Sequence, residues 1–270
     1  MPASRSNRGP SPPASPLKPK RRIWPIALAA VLAIAAVVLI SLPASLIARF
    51  LPPQIQAEDF SGNLWHGSSG RISFAARPLG ALEWRLHPFS LLSGAVAADL
   101  HWVKGSTVID GSVSFDRHGF NARDVRGGGP LEDLRDLRLA SGWSGNAKLD
   151  LRQIKGSFSN IESAAGTVEV SALVSSAIAA GADLGGYELT FPPNGTGADG
   201  LNATLQDTGG PLEAQAEIRF SPASHSGLLT GTLKERSDAS PALRSELANL
   251  AQMRPRDASG RIPVELEFAL

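Results

Sequence analysis

Residues 212–220, LEAQAEIRF, alternate without error: Leu212, Ala214, Ala216, Ile218 and Phe220 fall on one side, Glu213, Gln215, Glu217 and Arg219 on the other. A period of two marks a strand with one dry and one wet face. Residues 262–270 repeat the pattern, with Ile262, Val264, Leu266, Phe268 and Leu270 opposite Arg261, Glu265 and Glu267. Weaker alternation at 79–86, 96–103, 108–115, 147–154, 167–173, 187–191, 201–205 and 228–234 brings the total to about ten strands at short intervals. Glycine-, proline- and asparagine-rich segments join them, among them 126–130 (RGGGP), 192–195 (PPNG) and 208–211 (TGGP). The pattern predicts an extended, curved antiparallel β-sheet of consecutive hairpins.

Three segments break or blur the two-residue period. Residues 240–250 offer Ser240 as N-cap, Pro241 at the first helical position, and Leu243, Leu247 and Leu250 at i, i+4 and i+7, which predicts one short C-terminal helix laying an apolar stripe on the sheet or over its end. Residues 131–139 fit a short helix or a strand equally well. Residues 23–42, IWPIALAAVLAIAAVVLISL, form an uncharged run that spans roughly 30 Å as a helix, the thickness of a bilayer core. Lys18, Lys20, Arg21 and Arg22 flank its amino end, and only Arg49 lies close beyond the other. The positive-inside rule then places the amino terminus in the cytoplasm and the body across the membrane. The rival reading is a cleaved signal peptide. It fits less well, because the run exceeds a usual signal core and cleavage after Ala44 would set Leu42 three positions back.

Charge supports this division of the chain. Six of its 26 bases and none of its 25 acids fall in residues 1–22, leaving the remainder net negative. The folded body is therefore no nucleic-acid binder. Prolines at 2, 10, 12, 13, 16 and 19 make residues 1–22 a disordered basic tail. The expected organisation is tail 1–22, transmembrane helix 23–42, linker 43–59 and β domain 60–270. No cysteine is present, so disulfides, thiol chemistry and cysteine-based metal sites are excluded.

Candidate chemistry is sparse. Histidines at 66, 87, 101, 118 and 225 show no i, i+4 pair and no acid at metal-ligand spacing, and Ser68 and Ser69 lack the spacing of a nucleophile elbow. Glu58 and Asp59, adjacent on a strand, point to opposite faces and cannot share a proton. Trp65, Trp84, Trp102 and Trp143 read first as packing on a sheet face. The expectation is a protein that is not an enzyme and has no cofactor, metal or catalytic residue.

Residues 60–74, FSGNLWHGSSGRISF, set Trp65 between Gly62, Gly67 and Gly70; glycine there permits tight turning or close strand approach. The expected role of Trp65 is to plug the end of the sheet's apolar face, with a strand beginning at 71–74. Gly62-Asn-Leu-Trp65-His-Gly67, then LGALEWRLHPFSLLSG at 79–94 with Trp84, Pro88 and Gly94, resembles the type II secretion system protein N family. The likeness continues through 145–151, through Gly209-Gly210-Pro211 and through 231–262. Asn63 departs from the small or hydroxyl residue common in that family. The resemblance implies a bitopic inner-membrane protein of a Gram-negative bacterium, with its main domain in the periplasm. It further implies an accessory component without catalytic residues whose partners are other secretion-system proteins, and it makes Gly62, Trp65, Gly67, Trp84, Pro88, Gly94, Gly210 and Pro211 a structural or partner-binding motif.

Two function classes follow. One is a scaffold that pairs strands or presents a groove to secretion components. The other is an AsmA-like protein whose open apolar face carries lipid. The discriminating feature is whether the dry face is covered.

Overall fold

The computed structural model describes residues 41–49, 51–137, 142–158, 160–176, 178, 181–193, 196–197, 200–221 and 226–269. It divides into two units, 1–40 and 41–270; the first, with the basic tail and most of the expected membrane segment, lies outside the described residues. Ser41 and Leu42, the last residues of that segment, form a turn and irregular backbone. Among the described residues no helix is long and apolar enough to cross a membrane.

Residues 41–270 build one fourteen-stranded sheet. In chain order the strands are β1 (Ile55–Gly62), β2 (His66–Phe74), β3 (Arg77–His87), β4 (Val96–Lys104), β5 (Thr107–Phe115), β6 (Phe120–Pro130) and β7 (Trp143–Gly156). They continue as β8 (Ile161–Ser175), β9 (Asp183–Phe191), β10 (Thr196–Gly197), β11 (Gly200–Gly209), β12 (Leu212–Ser221), β13 (Ser226–Glu235) and β14 (Ile262–Ala269). Apart from β10, which pairs only with β11, spatial order follows chain order from β1 to β14. Each connection is thus a local antiparallel link, and among the described residues β1 and β14 are the edges of the sheet. The mainly β, consecutive-hairpin fold read from the alternation is the fold observed.

Register explains why the face pattern persists. One row of cross-strand partners runs Phe60, Ser69, Leu82, Trp102, Ile109, Gly127, Leu149, Val168, Leu189, Leu205, Ala216, Gly231, Val264. Its neighbour on the other face runs Ser61, Ser68, Glu83, His101, Asp110, Arg126, Asp150, Thr167, Thr190, Thr204, Glu217, Thr230, Glu265. Every member of the second row is polar and all but one of the first are apolar or glycine. A slip of one residue anywhere would exchange the two faces, so burial of the dry face fixes the register.

The segment 126–130, expected as a joining turn, is instead the end of β6. Its glycines serve close approach: a Cβ on Gly127 would sit 2.0 Å from the Val108 carbonyl oxygen, and φ there is +149°. The stretch 43–59, expected as linker, carries a 3-10 turn (Ala44–Arg49) and the first five residues of β1. Residues 71–74 end β2 rather than begin a strand.

The expected helix is present as α1 (Pro241–Met253), the one α-helix among the described residues. The Ser240 hydroxyl accepts a hydrogen bond from the Leu243 N–H at 3.2 Å, and Pro241 needs no donor in the first turn. Leu243 and Leu247 are buried against Leu184, Tyr187, Ala214 and Ile262 on the dry face, forming the main core. Residues 131–137, left open by the pattern, form a 3-10 turn, Leu131–Leu137.

Candidate functional site

The glycine–tryptophan motif is a corner. Gly62 and Gly67 pair across β1 and β2, and the three residues between the two strands make the turn. The Asn63 side-chain oxygen accepts the backbone N–H groups of Trp65 (3.0 Å) and His66 (2.8 Å), a local bond that a serine would make more weakly. Trp84, on β3, lays its ring over Gly67, where a Cβ would come within 2.6 Å of the indole. Its indole N–H donates to the Leu64 carbonyl at 3.0 Å, and Phe60 meets its ring edge-on at 6.3 Å. Trp65 is buried in the turn, and its carbonyl accepts the Leu86 N–H at 2.7 Å.

Pro88 opens a 3-10 turn, Pro88–Ser93, and Gly94 ends it in the left-handed region. These six motif residues therefore share one end of β1–β4. Gly210 and Pro211 do not join them: they turn the chain between β11 and β12, where the Arg236 guanidinium donates to the Gly210 carbonyl at 2.8 Å. Lys18, Lys20, Arg21 and Arg22 lie outside the described residues.

Beside the corner, the dry face of β1–β5 is a groove of about 440 Å³. Trp84, Phe60, Leu82, Leu100, Trp102 and Val113 line it, with Ile47 and Leu51 at its β1 side; Trp65 is not in the lining. Among the described residues its one polar side chain besides the two indoles, Ser69, is buried and donates to the Glu58 carbonyl at 2.7 Å. The Trp102 indole N–H donates to the Leu79 carbonyl at 2.7 Å. Both indoles are thus satisfied internally, so the groove offers a ligand apolar contact and no free indole donor. Val96 and Phe115, at its rim, are 44% and 43% exposed.

A second apolar cavity, about 620 Å³, lies between α1 and the sheet. Tyr187 stands in its lining with its hydroxyl donating to the Leu184 carbonyl at 2.7 Å. Burial, with Asp207 and Asp183 nearby, pushes the Tyr187 phenol well above its ordinary range, so it stays protonated and keeps its proton for the Leu184 carbonyl. Asp207 is held by Arg236 at 2.5 Å.

The wet face carries polar pairs that sequence spacing did not reveal. His101 Nδ1 lies 2.6 Å from Asp110 and His87 Nε2 lies 3.0 Å from Asp99. Hydrogen bonding to Asp110 raises the His101 pKa, and the Ser112 hydroxyl, donating at 2.7 Å, is the chief cause lowering that of Asp99. In the series Ser112, Asp99, His87 the carboxylate sits between hydroxyl and imidazole. The histidine therefore cannot take the serine proton, as a nucleophilic triad requires. Each pair joins residues on neighbouring strands, so only the register brings them together.

The model of the family described as type II secretion system (T2SS), protein N, matches residues 53–265, which takes in all of β1–β13. A type II secretion system protein N of Aeromonas hydrophila is 35% identical over 104 residues, covering 37% of this chain and 36% of that protein. Another, of Vibrio cholerae serotype O1, is 33% identical over 57 residues, 21% of this chain and 23% of that protein. The aligned stretches thus span about a third or less of these relatives. No solved structure matches the chain. The family match, running from just before β1 into β14, covers the corner, the strands that form the groove and the α1 core together: the chain belongs to the type II secretion system protein N family.

Proposed function

We propose that this chain is a non-enzymatic accessory component of a type II secretion system, anchored in the bacterial inner membrane by residues 23–42. The basic tail is cytoplasmic and the sheet periplasmic. The observation that carries the reading is the family match over 53–265; the basic residues before the apolar run supply the orientation. The sheet works as a scaffold, offering the free edge of β14 to a partner's strand. A photo-crosslinking residue at Leu266, 55% exposed on β14, should yield an adduct with another secretion-system protein in secreting cells. Absence of any such adduct, together with unchanged export in a deletion strain, would sink the scaffold reading.

The groove favours a second reading, lipid handling. Its lining is apolar and both of its indole N–H groups are already bonded, which suits an acyl chain held by contact alone. Lipid retained by the purified full chain through detergent exchange, and lost on Leu82→Asp, supports it. Equal lipid content in the two chains sets it aside.

A further inference from the structure

Among β1–β8 the hairpins place four turns at one end of the sheet: 63–65, 88–95, 116–119 and 157–160. Register fixes this placement, since Gly62 pairs with Gly67, His87 with Ala97, Val96 with Phe115, Phe115 with Phe120, Phe120 with Gly156 and Gly156 with Ile161. Large apolar side chains stand in water at this end: Leu92 at 87% exposure, Phe89 at 83% and Phe158 at 72%. Leu91 and Ile161 are about half exposed beside them. Residues 88–98, PFSLLSGAVAA, contain no charge.

The 88–93 turn is a built wedge. The Ser90 hydroxyl donates to the His87 carbonyl at 2.6 Å and accepts the Ala97 N–H at 3.0 Å, while the Ser93 hydroxyl donates to the Ser90 carbonyl at 2.7 Å. Its hydroxyls are spent on its own backbone, and Phe89 and Leu92 are what it presents outward. That combination, satisfied polar groups under projecting apolar ones, is what a non-aqueous phase demands. In the charged turn at 116–119, Asp116 accepts the backbone N–H groups of His118 and Gly119 at 2.7 and 3.1 Å.

The chain joins the sheet at this same end. Pro43 bridges to Asn63, and the Leu64 N–H donates to the Leu42 carbonyl at 2.8 Å. Whatever precedes residue 41 is therefore attached here, and each intervening residue adds at most about 3.5 Å of reach. The opposite end carries more charge: Arg77 and Lys104 at its strand ends and Glu132, Asp133 and Arg135 in the 131–137 turn, beside the half-exposed Phe74.

We infer that this end of the sheet docks on the lipid bilayer, with Phe89, Leu92 and Phe158 immersed at the interface. The inference rests on residues 23–42 being the anchor, because the apolar segment and the exposed turns then meet the same surface. Val96 and Phe115, the exposed residues of the groove lining, lie at this end too.

The cysteine-free sequence makes the test direct. Single cysteines at Phe89, Leu92 and Phe158, and at the opposite-end positions Ala76 and Glu132, are spin-labelled in the full chain. Each chain is reconstituted in vesicles of phosphatidylethanolamine and phosphatidylglycerol. Labels at 89, 92 and 158 should show a several-fold loss of access to a water-soluble relaxant and a gain of access to oxygen relative to 76 and 132. Equal aqueous access at all five positions overturns the docking. Alkaline extraction of the same vesicles tests the anchor separately. A chain that resists extraction while 89 and 92 stay aqueous keeps its anchor and loses the docking. An extractable chain whose labels still become shielded on added vesicles loses the anchor and keeps the docking, and one whose labels stay aqueous there loses both.

Discussion

Ile262 on β14 and Phe115 on β5 project from the same dry face of the same sheet, yet one is 0% exposed and the other 43%. The difference lies in what covers them. Over β9, β12, β13 and β14, α1 supplies a second layer, and Leu243 and Leu247 close a core with Leu184 and Tyr187. Over β1–β5, among the described residues, only the 44–49 turn and Leu51 approach, and the apolar row remains half-buried. A sheet with a one-sided apolar face needs a second layer to be stable. The covered half therefore provides stability, and in the open half the described residues leave apolar surface exposed, Val96 and Phe115 among it.

Breaking the covered half should have the largest effect. Leu243→Ala removes a side chain 1% exposed and should cost about 2–5 kcal/mol by urea unfolding of the full chain; a loss as small as that of a surface change would deny α1 its role as the second layer. Next comes the corner beside the open half. Gly67→Val drives a side chain into the Trp84 ring, which already lies within 2.6 Å of a Cβ position, and overpacking of this kind costs roughly 1–3 kcal/mol. Altered tryptophan emission should accompany it, and unchanged emission with full stability would show that Trp84 has room to move.

The alternation made part of this comparison readable in advance. Residues 212–220 became β12 because nothing interrupts their period, and Ser240, Pro241, Leu243 and Leu247 sufficed for α1. The strand end at 126–130 escaped because three glycines carry no face pattern; their purpose, letting β5 and β7 come close, exists only once the strands are paired. The same holds for His87 with Asp99 and His101 with Asp110, whose partners are set by register. Alternation says which face is dry but not what lies over it, so the contrast between Ile262 and Phe115 was invisible. Of the eight motif residues, six meet at the corner, while Gly210 and Pro211 turn the chain between β11 and β12. Why Gly67 must be glycine became clear only with Trp84 above it.

In the open half, Leu82→Ala should cost only about 1 kcal/mol, since a partly buried leucine with no second layer over it among the described residues gains a fraction of its full burial energy. The measurement is the same urea series. A cost matching that of Leu243→Ala would mean that the groove is a core in its own right and would erase the distinction between the halves.

The smallest effect concerns the segment that ties the halves together. Leu131 lines the cavity under α1, and Asp133, two residues on, reaches the turn between β4 and β5. Its carboxylate accepts the Ser106 and Thr107 N–H groups at 2.9 and 3.1 Å and the Thr107 hydroxyl at 3.0 Å. Burial works to raise the Asp133 pKa, but these bonds outweigh it and hold it below its ordinary 3.8. A carboxyl whose folded pKa is depressed contributes stability that is complete above the unfolded pKa and fades as pH falls through the folded value. Acid should therefore loosen the β4–β5 turn below pH 3.8, seen as faster amide exchange at Ser106 and Thr107 and a shallow fall in the unfolding midpoint. Asp133→Asn should remove its share of that pH dependence while leaving the α1 core intact. If the native chain and the Asp133→Asn variant lose stability in parallel across that range, the tie does not depend on the charge of Asp133, and the two halves are joined by the sheet alone.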